Sequence, residues 1–228
     1  MDHNWTRFRA LGSREQRFGQ LSGKSVRVLL TAFEPYDEWT ENSSWLTLIE
    51  LLKSRPTSVE LLTRRYPVGL PALQQRLIDD LEKKPDAVLH LGQSPGAAVI
   101  RLEAIALNVA GCIDEQGQEL PPLVDTGALA FRSGMPIGHW AELLQQADIP
   151  AGVSYHAGTF LCNATMYLSH HWCQLNQHPI PVGFIHLPLT MEQVAASGRS
   201  LASLPVATLA QAIRLIVEDL SVAAADRA

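Results

Sequence analysis

Short apolar runs recur along the chain and alternate with segments of helical spacing. Runs rich in branched apolar residues predict buried strands. They cover residues 26–33, 59–68, 87–92 and 182–187. The mostly apolar residues 99–109 predict further extended chain, and residues 153–154 predict a short strand.

Helical spacing marks most of the segments between these strands. Asn42, Ser43 and Ser44 offer capping side chains for a helix that runs through Leu52 and ends before Pro56. Further helices are predicted over residues 70–83, 137–147, 159–172 and 209–220. Strands separated by helices predict an α/β fold. We expect a single-domain three-layer sandwich whose mixed, mostly parallel sheet carries helices on both faces.

Length and composition fit one globular domain. The chain has 228 residues, of which 46% are hydrophobic and 18% are charged. Residues 1–24 are polar and lack a clear period, so we expect an N-terminal extension before a domain over residues 25–228. The extension lacks the apolar stretch of a secretory signal, and no run of apolar residues is long enough to predict a membrane span.

Charge and cysteine content narrow the partners and the compartment. The net charge is −5 and no dense cluster of Lys and Arg occurs, so neither nucleic acid nor a membrane surface is an expected partner. The three cysteines are Cys112, Cys162 and Cys173, an odd number that suits a reducing compartment. We therefore expect a cytoplasmic protein in which Cys112 and Cys173 are free thiols.

Cys162 is the candidate nucleophile. It lies within residues 149–191, which contain no Asp, Glu, Lys or Arg and are therefore expected to run through the interior. Gly158 and the small residues nearby predict a tight turn that places Cys162 in the first turn of a helix. There the helix dipole stabilises a thiolate, and free amides can hold an oxyanion. The alternative is an inert core cysteine.

His186 and Glu103 are candidates for a base and an orienting acid. His186 closes an apolar strand, and its ring titrates near neutrality; the alternative is a satisfied histidine that caps the strand. Glu103 lies in an apolar segment, where a carboxylate needs a partner such as a histidine. The alternative for Glu103 is an ion pair with Arg101 on a solvated strand face.

The sequence gives little support for a metal site or a phosphate-binding loop. His170, His171 and Cys173 are metal-ligand types, but no second Cys/His pair with zinc spacing accompanies them. We expect neither a metal nor a cofactor. His90 is interpreted as a core or cleft-edge histidine, and residues 92–96 lack the lysine of a phosphate-binding loop.

Several segments resemble motifs of one family of cysteine peptidases, pyroglutamyl peptidase I. Residues 154–163, Ser-Tyr-His-Ala-Gly-Thr-Phe-Leu-Cys-Asn, resemble its cysteine motif. Residues 92–108 resemble its glutamate motif, and residues 183–193 resemble its histidine segment. Residues 31–36 and 42–45 are similar to its opening, and the order Glu, Cys, His is the order of the family.

The resemblance implies removal of N-terminal pyroglutamyl residues from short peptides through a thioester, with a triad of Cys162, His186 and Glu103 and no metal. It also implies an apolar pocket for the lactam ring and backbone and amide groups near the substrate. The implied residues are Phe33, Tyr36, Asn42, Gln93, Phe160 and Leu161. Relatives often form homo-oligomers, so self-association is expected from the resemblance alone.

The sequence departs from the family pattern around the motifs. Arg101 and Ala104 replace the Ser or Thr before the glutamate and the basic residue after it, and His156 replaces a small residue. Ser43 replaces a proline, and residues 110–114, which include Cys112, lack an expected arginine. Two alternatives therefore stay open: a related cysteine amidase with another small N-acyl substrate, and a non-catalytic binding protein.

Overall fold

The computed structural model describes residues 25–111 and 120–225. The predicted extension over residues 1–24 and the predicted free thiol of Cys112 lie outside the described residues.

The described residues form ten strands. They are β1 (Val26–Phe33), β2 (Val59–Tyr66), β3 (Ala87–Gln93), β4 (Ile100–Glu103), β5 (Ile105–Leu107), β6 (Ala130–Arg132), β7 (Ala151–Ser154), β8 (Val182–Leu187), β9 (Leu189–Thr190) and β10 (Ser203–Leu204). Six of them make the central sheet in the order β2-β1-β3-β8-β4-β7. All neighbours in this sheet are parallel except β4 and β8, which are antiparallel.

Six helices accompany the strands in the described part of the chain. They are α1 (Ser43–Lys53), α2 (Leu70–Leu81), α3 (Ile137–Gln146), α4 (Leu161–Leu175), α5 (Met191–Ser197) and α6 (Val206–Ala225). Asn42 caps α1 as predicted, because its Oδ1 accepts the Ser44 N–H at 3.0 Å.

Apolar clusters cover both faces of the central sheet. On one face α1, α3 and α6 contribute buried residues such as Leu48, Trp140 and Ile213. On the other face α2 and α4 contribute Leu77 and Tyr167. The predicted three-layer α/β sandwich with a mixed, mostly parallel sheet is confirmed.

The predicted extended segment 99–109 is divided at Ala104. The Ala104 N–H donates to the carbonyl of Ser154 at the end of β7, whereas its own carbonyl accepts the N–H of Ser133 at 2.8 Å. The chain therefore leaves the central sheet at this residue, and β5 pairs with β6 in a separate two-stranded sheet. Sequence periodicity misses this division because both partners of Ala104 lie far along the chain.

Other boundaries shift by a few residues. The strand predicted over 59–68 ends at Tyr66, and the helix predicted over 159–172 covers Leu161–Leu175. Helix α5 was not predicted, although Thr190 and Gln193 form a capping box that the spacing of these two residues indicates.

Candidate active site

Cys162 is the second residue of α4, as the small residues before it predict. Gly158 has φ of 79°, a left-handed conformation that glycine adopts without strain, and it turns the chain from β7 toward α4. The first backbone bond of α4 runs from the Ala164 N–H to the Phe160 carbonyl at 3.0 Å. The N–H groups of the preceding first turn, including that of Cys162, therefore have no acceptor within the helix.

Glu103 and His186 lie on the antiparallel strands β4 and β8. Glu103 is fully buried, and its Oε1 lies 2.8 Å from His186 Nδ1. Glu103 Oε2 has no hydrogen-bond partner among the described residues, so the histidine is the group that balances this carboxylate. The expected carboxylate–histidine contact is confirmed. The alternative of a solvated ion pair with Arg101 is wrong, because Glu103 has no exposed surface.

The electrostatics of the site favour a charged imidazole. Burial lowers the pKa of His186, but the Cys162 thiolate and the Glu103 carboxylate outweigh burial and raise the pKa from 6.5 to about 9. Because Nδ1 faces Glu103, Nε2 is the ring atom left for Cys162 and a substrate. The cysteine is half-buried and accessible to a substrate.

Gly92 allows strand β3 to lie directly beside the Cys162 side chain. A Cβ added at Gly92 would lie 2.6 Å from the ring of Phe184 and 3.0 Å from Cys162 Sγ. Gly92 is also the register partner of His186 in the parallel pair β3–β8. The space needed to bring the thiol beside the imidazole therefore exists because this residue has no side chain.

A cavity of about 670 Å³ opens on Cys162 and His186. All six residues expected to contact substrate line it, namely Phe33, Tyr36, Asn42, Gln93, Phe160 and Leu161. The wall also includes residues that were not predicted, namely Val68, Ser94, Pro95, Ser154 and Ala157. Several of these lie just after the carboxyl ends of strands, a position that the predicted parallel sheet could have indicated.

Asn42 and Gln93 have different roles at the cavity wall. The Asn42 side chain is used within the protein, since its Oδ1 accepts from Ser44 and its Nδ2 donates to the Glu34 carbonyl at 3.0 Å. Gln93 Oε1 accepts from the Ser43 N–H and from Gln193 Nε2, both at 2.7 Å. Gln93 lines the cavity, and its Nε2 is buried without a hydrogen-bond partner among the described residues.

The departures from the family pattern have visible consequences. Ser43 supplies the backbone N–H that fixes Gln93, a bond that a proline at this position could not make. His156 lines the cavity, and its Nδ1 accepts the Gly158 N–H at 2.9 Å, so it braces the turn before α4. Arg101 also lines the cavity and is exposed.

The remaining histidines have structural surroundings. His90 is fully buried between Thr31 Oγ1 at 2.7 Å and Ser169 Oγ at 2.9 Å, and burial, followed by nearby His170, lowers its pKa to about 3. It is therefore a neutral core histidine. His170 stacks on Phe131, with ring centroids 5.4 Å apart. Within residues 25–111 and 120–225, no three His, Cys, Asp or Glu residues are grouped to hold a metal ion.

Cys173 differs from Cys162 in its surroundings. Both are free thiols, but Cys173 is buried, and burial raises its pKa to about 11. It is a poor nucleophile and a suitable control for experiments on Cys162.

None of the helices in the described part of the chain is long and apolar enough to cross a bilayer.

Comparison with known proteins connects this site to a family. The sequence profile of the family described as pyroglutamyl peptidase matches residues 26–223. The chain is 37% identical over 202 residues to a pyrrolidone-carboxylate peptidase of Gloeobacter violaceus, a match that covers 85% of this chain and 96% of the relative. It is 32% identical over 197 residues to one of Coprothermobacter proteolyticus, covering 84% and 95%.

Solved structures give the same result. The crystal structure of pyrrolidone carboxyl peptidase from Fervidobacterium islandicum AW-1 is similar with a TM-score of 0.79 and 34% identity, over 86% of this chain and 98% of that chain. The pyrrolidone carboxyl peptidase from Thermococcus litoralis is similar with a TM-score of 0.79 and 27% identity, over 89% and 96%. Fold and sequence agree, and the chain belongs to the pyroglutamyl peptidase family.

Proposed function

We propose that this cysteine peptidase removes N-terminal pyroglutamyl residues from peptides with Cys162 as nucleophile, His186 as general base and acid, and Glu103 as the orienting carboxylate. One observation carries the assignment. The buried His186–Glu103 pair, with its 2.8 Å contact, lies beside a half-buried cysteine that begins a helix at an apolar cavity. This combination gives an activated nucleophile, an oriented base and free amides in one place.

The reaction follows from these positions. The Cys162 thiolate attacks the carbonyl that joins the pyroglutamyl group to the next residue, and first-turn amides of α4 hold the oxyanion. The His186 imidazolium then gives its proton to the leaving amine, which produces a thioester on Cys162. Water, deprotonated by His186, hydrolyses the thioester and regenerates the thiolate–imidazolium pair. Glu103 keeps the imidazole in the tautomer and orientation that both steps need.

The cavity wall suits a neutral lactam. Phe33, Phe160 and Leu161 supply apolar surface for the ring. The unpartnered Nε2 of Gln93 is a donor for the lactam carbonyl. The Tyr36 hydroxyl donates to the Gln93 carbonyl at 3.3 Å, and burial, followed by the charge of Cys162, raises its pKa to about 12, so it stays a neutral donor. A substrate without the lactam would leave the buried Gln93 amide unpaired.

The test is the release of a fluorogenic amine from a pyroglutamyl amide, with and without a thiol alkylating agent. We expect turnover that stops as Cys162 is alkylated, with peptide mapping by mass spectrometry to identify the modified cysteine. The Cys173→Ser variant is the matched control and should keep both the turnover and its sensitivity to alkylation. Turnover that survives complete alkylation of Cys162 would contradict the proposal.

A related cysteine amidase is the second candidate, and one observation favours it. Arg101 and His156 both line the cavity at positions where the family pattern has smaller residues. In that case Cys162 would alkylate rapidly while pyroglutamyl amides stay uncleaved, and a screen of other N-acyl amides would reveal the substrate. A non-catalytic relative would show slow alkylation and no turnover.

Self-association and a cytoplasmic location stay predictions from the resemblance and the cysteine content. Light scattering coupled to size-exclusion chromatography checks the first, and fractionation of cells checks the second.

A further inference from the structure

Arg101 adds a permanent positive charge to the cavity, beyond the charges of the Cys162–His186 pair. Among the described residues that line the cavity it is the one that is always charged, and none of these residues is Asp or Glu. Its side chain is exposed, and it forms no ion pair with any residue in the ranges 25–111 and 120–225. An exposed guanidinium without a carboxylate partner is available to a ligand.

The sheet places this arginine beside the proposed base. Arg101 on β4 is the register partner of His186 on β8. Side chains of register partners project from the same face of a sheet, with Cβ atoms about 4.5–5.5 Å apart. Glu103, two residues along β4, lies on the same face, but its Oε1 contacts His186. Arg101 therefore extends from the same face of the sheet as the base, at the cavity wall, and no ion pair with the triad carboxylate neutralises its charge.

The chemistry of the substrate defines what can meet this charge. A pyroglutamyl residue has no free amine, because its nitrogen is closed into the lactam. A pyroglutamyl peptide therefore carries no formal charge before the scissile bond. The residue after that bond is the earliest one that can carry a charge, on its side chain or, in a dipeptide, on its C-terminal carboxylate. Arginine binds carboxylates through paired hydrogen bonds and repels cations.

We propose that Arg101 selects pyroglutamyl peptides in which the released residue carries a carboxylate, on its side chain or at its C-terminus. This inference rests on the proposed function and adds a preference to it. The protein as a whole has a net charge of −5, so its overall field repels acidic peptides. Arg101 offsets that repulsion at the point where the leaving residue lies.

The test compares matched substrates by the ratio of their kcat/KM values. One pair is pyroglutamyl-aspartic acid amide and pyroglutamyl-asparagine amide, which differ in the side-chain charge. The other pair is pyroglutamyl-alanine with a free and with an amidated C-terminus. Released pyroglutamate is quantified by chromatography. We expect the wild type to prefer the acidic member of at least one pair by about threefold to tenfold at low ionic strength, and less at high salt.

Three variants locate the source of the preference. Arg101→Gln should bring the preferred ratio to about one, and Arg101→Lys should retain part of it, because lysine keeps the charge but not the paired hydrogen bonds. Arg76→Gln removes an equal charge from the exposed face of α2, outside the cavity, and should leave the ratio as in the wild type. The substrate pair whose kcat/KM ratio changes in Arg101→Gln shows whether the side-chain or the C-terminal carboxylate is bound.

Three results would overturn the inference, and they are distinguishable. Cleavage of the neutral substrates with acidic-to-neutral ratios of one or less, or ratios that Arg101→Gln leaves unchanged, would overturn the role of Arg101 while the proposed function stands. Absence of cleavage of every pyroglutamyl substrate would overturn the proposed function, and the role of Arg101 with it.

Discussion

Gly92 lies so close to Cys162 that a Cβ at the glycine would be 3.0 Å from the thiol sulfur. The same Cβ would be 2.6 Å from the Phe184 ring, which itself packs against the His186 ring with centroids 4.8 Å apart. Strand β3 therefore packs closely against both the proposed nucleophile and the ring that contacts the proposed base.

Gly92→Ala should reduce both activity and stability. The added methyl group has to displace the buried ring of Phe184 and the thiol of Cys162, and such overpacking costs about 1–3 kcal/mol of unfolding free energy. We expect a loss of kcat beyond what the unfolded fraction explains, measured by fluorogenic turnover together with chemical denaturation. Gly138→Ala is the matched control, because nothing lies within 4 Å of its Cβ on α3, and alanine favours a helix. Equal effects of the two substitutions would contradict the close contact at Gly92.

Alanine substitutions at Phe160 and Phe33 should distinguish a contribution to substrate binding from a contribution to protein stability. Both line the cavity, but Phe160 is 47% exposed and Phe33 only 4%. Phe160→Ala should raise KM for a pyroglutamyl amide with a stability change below about 1 kcal/mol, because it removes pocket wall and little core. Phe33→Ala should in addition lower the unfolding free energy by about 3–5 kcal/mol. Kinetics and denaturation of both variants check this, and an unchanged KM in Phe160→Ala would remove that residue from the binding wall.

The raised pKa of His186 predicts a specific dependence on pH. Its pKa is about 9 in the folded protein against 6.5 as the ordinary value, so the charged imidazole stabilises the folded state. This contribution is fully present below about pH 6.5 and is lost as the pH rises from 6.5 to about 9. Over the upper part of the same window kcat/KM should fall, because the neutral imidazole cannot protonate the leaving amine.

Titration of the His186 ring by NMR measures this pKa directly. In Cys162→Ser the pKa should fall, because a serine hydroxyl supplies no negative charge while burial still disfavours the imidazolium. A wild-type pKa at or below 6.5 would contradict the charged pair.

Glu103→Gln should preserve the shape of the site and remove its orienting charge. A glutamine can donate to His186 Nδ1 and so fix the wrong tautomer, and a comparable change in a serine-protease triad lowers kcat by about 10⁴. We expect a loss of about 10²–10⁴ in kcat with KM changed much less. Circular dichroism is the control for folding. Retention of most of the activity would show that Glu103 only fills space.

The parts of the site that follow from local pattern were predictable from the sequence. Cys162 lies after a glycine turn at a helix start, and Glu103 is an acid in an apolar strand. Each feature involves only neighbouring residues, and each is consistent with few structural roles, so it can be recognised without knowing the fold. The resemblance to family motifs then joined Cys162, Glu103 and His186 into one site.

Other parts depend on contacts between distant residues. The division of the chain at Ala104 is caused by partners at Ser133 and Ser154, and no periodicity reports such contacts. The need for glycine at position 92 depends on the ring of Phe184, which reaches it from another strand. The same applies to Val68, which joins the cavity wall only because β2 and β1 are neighbours in the sheet.

The most direct test of the central claim compares purified Cys162→Ser and Cys173→Ser proteins in the hydrolysis of a fluorogenic pyroglutamyl amide. Both substitutions replace a thiol by a hydroxyl, and circular dichroism confirms that both proteins are folded. We predict no detectable turnover in Cys162→Ser, because an unactivated serine hydroxyl cannot replace the thiolate paired with His186, and turnover near the wild-type level in Cys173→Ser. Turnover by folded Cys162→Ser at a rate close to that of Cys173→Ser would contradict the assignment of Cys162 as the nucleophile.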